Sequence, residues 1–297
     1  MFMKKLGESL ESVPEFTTFP RTFEGYSWYK PLLLGIVTLI IYAILNGILF
    51  AALQFVLGSG NVASIMTAVQ GGYDTLNTYT LPGYLTILTV VLLLPSLYLA
   101  TRIVNYRPFL SYSTSRKSWN WGILFKSIGI SAVVFFITTI IYILIKGFSF
   151  DNHFTIITFL ACLILVPLQC VAEEYLLRGY VMQTMGSWIG IPLLAVFLQA
   201  IIFALGHPYN IIGVLSTFIV GSCLGLVTYY TKGIEMAAGI HIVNNLFSFC
   251  SSGLGIEKIV TNVDLLSFSM DIITVIISSI LLLYLSGKQD WFKNTDG

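Results

Sequence analysis

Eight long apolar runs with very few charged side chains constrain this chain more than any other feature. They cover residues 31–57, 83–104, 122–145, a run that begins near 154, and then 188–206, 211–231, 235–250 and 265–285. The hydrocarbon core of a bilayer is about 30 Å thick, and a helix of roughly 20 apolar residues crosses it. Because backbone polar groups in lipid must be satisfied within the segment itself, such runs form helices. The sequence therefore predicts an all-α, polytopic membrane protein with about eight transmembrane helices.

The composition agrees with this class and argues against several others. Hydrophobic residues make up 56% of the chain and charged residues only 10%, whereas soluble domains carry about 25% charged residues. The formal net charge of +1 gives no basis for nucleic-acid binding. The four cysteines, which lie in or beside apolar runs without paired spacing, are Cys162, Cys170, Cys223 and Cys250. This pattern favours apolar packing over a disulfide framework or a zinc knuckle.

The distribution of lysine and arginine predicts the orientation of the chain. With the N-terminus inside, twelve basic residues fall on the inner side and only Lys146 and Lys258 on the outer side, with Arg178 set aside as intramembrane. Cytoplasmic loops carry the excess of basic residues. We therefore expect both termini to be cytoplasmic, in the cell membrane. The predicted parts are an N-terminal cytoplasmic or interfacial segment (1–30), two membrane helices with a cytoplasmic loop (31–120), a membrane core (121–287) and a short cytoplasmic tail (288–297).

The fourth apolar run leads directly into three ionisable side chains, Glu173, Glu174 and Arg178. Each such group costs roughly 2.5 kcal/mol or more near the bilayer centre, so the cluster indicates a function. Glu174 and Arg178 lie four residues apart and share a helix face, so we expect them to pair. Glu173 points about 100° away and has no local cation. One carboxylate would thus be neutralised and the other free for chemistry.

Two histidines and an asparagine in later runs can join Glu173 in one site. His207 ends the fifth run, and His241 and Asn245 share a helix face in the seventh. To bring Glu173 to the depth of His207, we predict one long helix from about 154 to 185, ending at a turn near Gly186. An intramembrane histidine must find a partner or line a wet cavity, and each histidine alone fits a simple interhelical hydrogen bond. Together with the charged cluster, these residues predict a polar site between the fourth, fifth and seventh helices.

The residue types suggest how such a site would work. Glu173 can act as general base for a water that His207 helps to orient. His241 and the Asn245 amide can donate to an oxyanion, which contributes typically about 3 kcal/mol per donor. The alternative is a zinc site formed by Glu173, His207 and His241, the set of two histidines and one carboxylate found in zinc hydrolases. Apart from that alternative, we expect no cofactor.

The motifs Glu173-Glu174-x-x-x-Arg178, Phe203-x-x-x-His207 and His241-x-x-x-Asn245 resemble, in this order, the three motifs of the CPBP (Abi) family. This is the family of CAAX prenyl endopeptidases and bacteriocin-processing or self-immunity proteins, and the resemblance covers about residues 120–250. It implies an eight-helix intramembrane endopeptidase of glutamic type. In the family pattern the first glutamate and the second-motif histidine activate water, while the third-motif histidine and asparagine form the oxyanion hole.

The resemblance implies a membrane-associated peptide or protein as substrate, held within the lipid bilayer. The family was earlier regarded as metal-dependent, which keeps the zinc alternative open. Two further alternatives are a non-catalytic bacteriocin self-immunity or binding protein of the same fold, and a small transporter that relays protons. For a bacterial source, we expect a secreted or leader peptide as substrate before a prenylated protein.

Two local patterns complete the sequence-based predictions. Glu235 follows Lys232 by three residues at the start of the seventh run, which predicts a local ion pair worth well under about 1 kcal/mol. The pairs Gly186/Gly190 and Gly221/Gly225 have the Gly-x-x-x-Gly spacing that can allow two membrane helices to approach closely.

Overall fold

The computed structural model describes residues 2–58, 60, 62–63 and 79–292, and this part of the chain is helical without a β-strand. The main helical elements, in chain order, are α1 (Phe2–Ser9), α2 (Lys30–Leu57), α3 (Leu81–Val91), α4 (Leu93–Val104), α5 (Trp121–Lys146), α6 (Ile156–Glu174), a π-helical segment (Tyr175–Met182), α7 (Gln183–Ile189), α8 (Pro192–Leu205), α9 (Ile211–Thr231), α10 (Glu235–Gly253) and α11 (Leu265–Lys288). The predicted all-α class is confirmed.

Six helical segments in the described residues are long and apolar enough to cross a membrane: Lys30–Leu57, Leu81–Val104, Trp121–Lys146, Ile156–Ile189, Ile211–Thr231 and Leu265–Lys288. Many of their large apolar side chains face outward, as expected for helices in lipid. The other two predicted runs are also helical, but α8 is only 14 residues long, and α10 carries Glu235, His241 and Asn245. The protein is therefore an integral membrane protein, and the count of eight spans stays a prediction.

The helix that carries the glutamate pair is continuous from Ile156 to Ile189, through α6, the π-helical segment and α7. This confirms one long helix, but the predicted end near Gly186 is wrong. The helix ends at Gly190, whose φ of +78° lies in the left-handed region that glycine adopts without strain. Gly186 lies inside α7, where the missing side chain leaves room for the backbone of Thr17.

Helices α8 and α9 pack with their backbones close together. A Cβ atom at Gly221 would lie 3.0 Å from the Phe203 ring, and one at Gly225 would lie 2.7 Å from the Gln199 amide nitrogen. A contact of 2.7 Å is one that real Cβ atoms essentially never make, so the backbone at Gly225 can approach Gln199 only because glycine has no Cβ atom. The close helix approach is confirmed for Gly221 and Gly225 but not for Gly186 and Gly190, which face Thr17 and Arg21 of the N-terminal segment. It brings the Gly221 carbonyl within reach of side chains on neighbouring helices.

The N-terminal segment and the loop between α4 and α5 pack together on one end of the bundle. Leu6 and Leu10 share a buried cluster with Phe292 near the other terminus. The Ser115 hydroxyl donates to the Pro14 carbonyl at 2.8 Å, and Thr114 forms an isolated bridge with Gly233. We call this assembly of residues 10–20, 105–120 and 232–235 the basic-end cap.

A buried ion pair lies within the basic-end cap. Arg116 Nη2 donates to Glu235 Oε1 at 2.6 Å, and both side chains are almost completely buried. The predicted local pair between Glu235 and Lys232 is therefore wrong, because a partner 119 residues away occupies that carboxylate. Lys232 instead pairs with Glu15 of the N-terminal segment.

Candidate active site

Glu174 and Arg178 form the predicted pair at the centre of the bundle. Arg178 Nη1 donates to Glu174 Oε1 at 2.8 Å, and both side chains are fully buried. Arg178 Nη2 also donates to the Gly221 carbonyl at 3.2 Å, and its guanidinium carbon lies 4.9 Å from the centroid of the Phe203 ring. The arginine thus holds one carboxylate of the pair and joins α9 to the helix of the first motif.

His241 lies between the two glutamates, which the sequence did not predict. Its Nδ1 atom is 2.8 Å from Glu174 Oε1, and its Nε2 atom is 3.5 Å from Glu173 Oε2. Glu173 has no cation on its own helix, as expected, but α10 packs against α6 and places the His241 imidazole beside it. Since both ring nitrogens face carboxylates, this arrangement does not support the oxyanion-hole role predicted for His241.

The geometry constrains where the protons of this cluster lie. An ionised carboxylate can only accept a hydrogen bond, so Nδ1 of His241 carries the hydrogen donated to Glu174. In a neutral imidazole, Nε2 would then be an acceptor facing a second acceptor, Glu173 Oε2. This oxygen is buried and has no hydrogen-bond partner in the part of the chain that the structure describes. Two facing acceptors repel, and a proton on either the ring or the carboxyl group would make this contact favourable.

Gln169 connects Glu173 to Asn245 and was not among the predicted site residues. Its Nε2 atom donates to Glu173 Oε1 at 2.7 Å, and its Oε1 atom accepts from Asn245 Nδ2 at 3.2 Å. Asn245 therefore reaches the glutamate through Gln169. The signal was present in the sequence, because Gln169 is a polar residue one helical turn before Glu173 in an otherwise apolar run.

His207 follows the C-terminal end of α8 and approaches the cluster through an aromatic ring. Its Nδ1 atom is 2.8 Å from the Phe203 carbonyl, and a carbonyl only accepts, so Nδ1 carries the hydrogen and Nε2 is the acceptor of the neutral ring. The Phe203 ring centroid is 4.8 Å from His207 and 5.9 Å from His241. Among the described residues, His207 forms no ion pair with Glu173.

A cavity of about 350 Å³ brings these motifs together. Its lining includes Gln169, His207, His241 and Asn245. The lining does not include Glu173, whose side chain is 14% exposed and which adjoins the cavity through Gln169 and His241. The cavity lies within the usual size range of small-molecule sites, about 300–1,000 Å³.

The zinc alternative requires Glu173, His207 and His241 around one ion, with each donor atom about 2.0–2.2 Å from it. The structure brings Glu173 and His241 together but leaves His207 bound to a backbone carbonyl through Nδ1. Within the described ranges, no three His, Cys, Asp or Glu side chains form a group that could hold a metal ion. The donor geometry therefore offers no ready zinc site, and zinc binding stays an alternative for a chelation experiment.

Comparison with known proteins supports the resemblance seen in the motifs. Residues 152–247 match the family model described as type II CAAX prenyl endopeptidase Rce1-like. This region resembles the Rce1-like endopeptidases. The predicted resemblance is confirmed, and the matching region contains Gln169 as well as every residue of the three motifs. Because the family is one of proteases, the match supports peptidase activity in general terms.

One curated relative is the protein named "Uncharacterized protein YyaK" from Bacillus subtilis (strain 168), which is 29% identical over 180 residues. The match covers 55% of this chain and 59% of that relative, so the chain matches less than two thirds of the relative's length. No solved structure matches the chain.

Proposed function

We propose that this protein is an intramembrane endopeptidase that hydrolyses a peptide bond of a membrane-associated substrate with a water molecule activated by Glu173. The observation that carries the proposal is the position of His241 between Glu173 and the Arg178-neutralised Glu174. The Rce1-like match supports a protease in general terms, and the assignment of roles below is our own.

The charges of the cluster explain why Glu173 can exchange a proton. Two carboxylates, one guanidinium and one imidazolium have no net charge, and a buried site strongly disfavours any unpaired charge. Arg178 is always protonated and holds Glu174, so the only mobile proton is the one between His241 and Glu173. His241 acts as a positioning residue that keeps the Glu173 carboxylate ready to accept a proton from water.

The hydrolysis is balanced without any further reactant. Water gives one proton to the Glu173 carboxylate while its oxygen bonds to the scissile carbonyl carbon, and the carbon–nitrogen bond then breaks as Glu173 returns the proton to the leaving nitrogen. Nε2 of His207 is the ring acceptor that can orient the water. The Asn245 amide has two N–H donors, and with one bound to Gln169 the other can donate to the oxyanion.

The test uses purified protein reconstituted in liposomes and incubated with a detergent-free extract of membrane proteins, with new N-termini identified by mass spectrometry. We expect wild-type protein to generate a defined set of cleavages and Glu173→Gln to lower their rate by about 100-fold or more, the usual contribution of a general base. Glu11→Gln removes an exposed carboxylate outside the cavity and should cleave at close to the wild-type rate.

Three outcomes would contradict the proposal. Wild-type cleavage by Glu173→Gln would exclude that residue as the base. Loss of activity in a chelator, restored by added zinc, would select the metal-dependent alternative. Peptide binding without cleavage, unchanged by Glu173→Gln, would select the immunity or binding alternative.

A further inference from the structure

The cavity beside the active site extends toward one end of the bundle only. Beyond His241 and Asn245 it is lined by Ser248 and Phe249 in the last turns of α10, then by residues 257–260, 263 and 264 of the loop that follows α10. His241 lies 12 residues before the end of α10 at Gly253, a helical rise of about 18 Å. The far lining residues Lys258, Val260 and Asp264 are exposed. The cavity therefore reaches the surface at the α10–α11 loop.

The lining of this path is suited to water and to a peptide backbone. It presents hydroxyl and amide side chains along its length, including those of Ser216, Thr217, Asn244, Ser248 and Ser267. Hydroxyl and amide groups can hydrogen-bond both to water and to the amides of an unfolded segment. This end of the cavity can thus admit both the water and the backbone of a substrate segment.

The opposite end of the bundle is closed by the basic-end cap. The part of α10 that precedes His241, from Glu235 to Ile240, is buried. The Arg116–Glu235 ion pair, the Thr114–Gly233 bridge and the buried Phe16 lie across this end. None of the described cavity-lining residues comes from before Tyr142.

The two ends of the bundle differ sharply in basic residues. Most described lysines and arginines lie in the basic-end cap, in the N-terminal segment, or near helix ends on the same side of the bundle, as Arg102, Lys126 and Lys288 do. The exceptions are Lys146, Lys258 and the intramembrane Arg178. The open end carries only Lys146 and Lys258. By the positive-inside rule, the capped end is cytoplasmic and the open end is extracytoplasmic.

We propose that substrate enters the active site from the extracytoplasmic side. The inference rests on the proposed function for its substrate, and it names the class: an exported peptide, or an extracytoplasmic segment of a membrane-anchored protein. A prenylated cytoplasmic tail would meet the closed, basic end of the bundle and could not reach Glu173 along the cavity.

The test measures accessibility and does not require catalysis. In a background with all four cysteines replaced by alanine, single cysteines are introduced by Ser248→Cys inside the cavity, Val260→Cys at its mouth and Glu11→Cys at the capped end. Intact cells are treated with a membrane-impermeant maleimide before and after permeabilisation. We expect Ser248→Cys and Val260→Cys to be labelled in intact cells and Glu11→Cys only after permeabilisation.

Labelling of Ser248→Cys only after permeabilisation, or from neither side, would overturn the proposal. Ser216→Cys, which also lines the cavity, provides a second probe if the first variant does not fold, as judged by its thermal unfolding. The same labelling pattern is expected in a Glu173→Gln background. A protein that labels as expected but cleaves nothing would refute the proposed function and leave the direction of access standing.

Discussion

Replacing Arg178 with methionine should strongly destabilise the protein. The guanidinium is fully buried and holds Glu174 Oε1 at 2.8 Å. Without it, a buried carboxylate loses its permanent counter-charge, and removing one partner of a buried pair costs about 3–5 kcal/mol. The Gly221 carbonyl adds little to this figure, because Gln199 Nε2 also donates to it at 2.9 Å. At roughly 2–4 °C per kcal/mol, the expected fall in Tm is about 6–20 °C.

The assay is thermal unfolding of the purified protein in a single lipid–detergent mixture, followed by tryptophan fluorescence. The matched control is Arg102→Met, because Arg102 is an exposed arginine whose loss should change the free energy of unfolding by about 0.5 kcal/mol or less. The double variant Glu174→Gln, Arg178→Met removes both charges and should unfold at a higher temperature than Arg178→Met alone. If Arg178→Met unfolds at the same temperature as Arg102→Met, the buried pair does not have the role assigned to it.

Three further predictions concern the packing and the site. Arg116→Met should lower the Tm by several degrees, because the Arg116–Glu235 ion pair is buried. Lys146→Met should leave the Tm nearly unchanged, because the Lys146–Asp264 ion pair is exposed. Equal Tm values for the two variants would contradict this. Gly221→Ala should destabilise the protein by forcing α8 and α9 apart. Gly129→Ala should be neutral or slightly stabilising, because a Cβ atom there would meet open space. Equal effects on stability would show that the close approach of α8 and α9 is unimportant. Gln169→Leu should lower the cleavage rate by about 10-fold to 100-fold through misplacement of Glu173, with a small change in Tm, and an unchanged rate would remove Gln169 from the site.

Sequence reasoning was sufficient where the determining interactions are local. Long apolar runs specify membrane helices because lipid leaves the backbone no other partner. The Glu174–Arg178 pair follows from helical spacing alone. The Gly221 spacing likewise reports a contact that depends only on the absence of a side chain.

Sequence reasoning failed where tertiary packing decides between equivalent local choices. Gly186 and Gly190 both suit a helix end, and the packing of Thr17 against Gly186 leaves the end to Gly190. Lys232 lies three residues from Glu235, yet Glu235 forms its ion pair with Arg116, which is distant in the sequence and lies in a buried loop. His241, the imidazole beside Glu173, lies on another helix, so no spacing rule could place it next to the glutamate.

The central claim, that Glu173 activates water and does not itself attack the substrate, can be tested by a single turnover in water enriched in ¹⁸O. Excess wild-type protein is mixed with an intact reporter peptide that it is known to cleave. The masses of the cleavage product and of the proteolytic fragment of the enzyme that contains Glu173 are then measured by mass spectrometry. We predict one ¹⁸O atom in the new carboxyl group of the product and none in Glu173. Incorporation of ¹⁸O into Glu173, or a covalent adduct of the peptide on Glu173 in the same spectra, would show an acyl-enzyme route and contradict the mechanism.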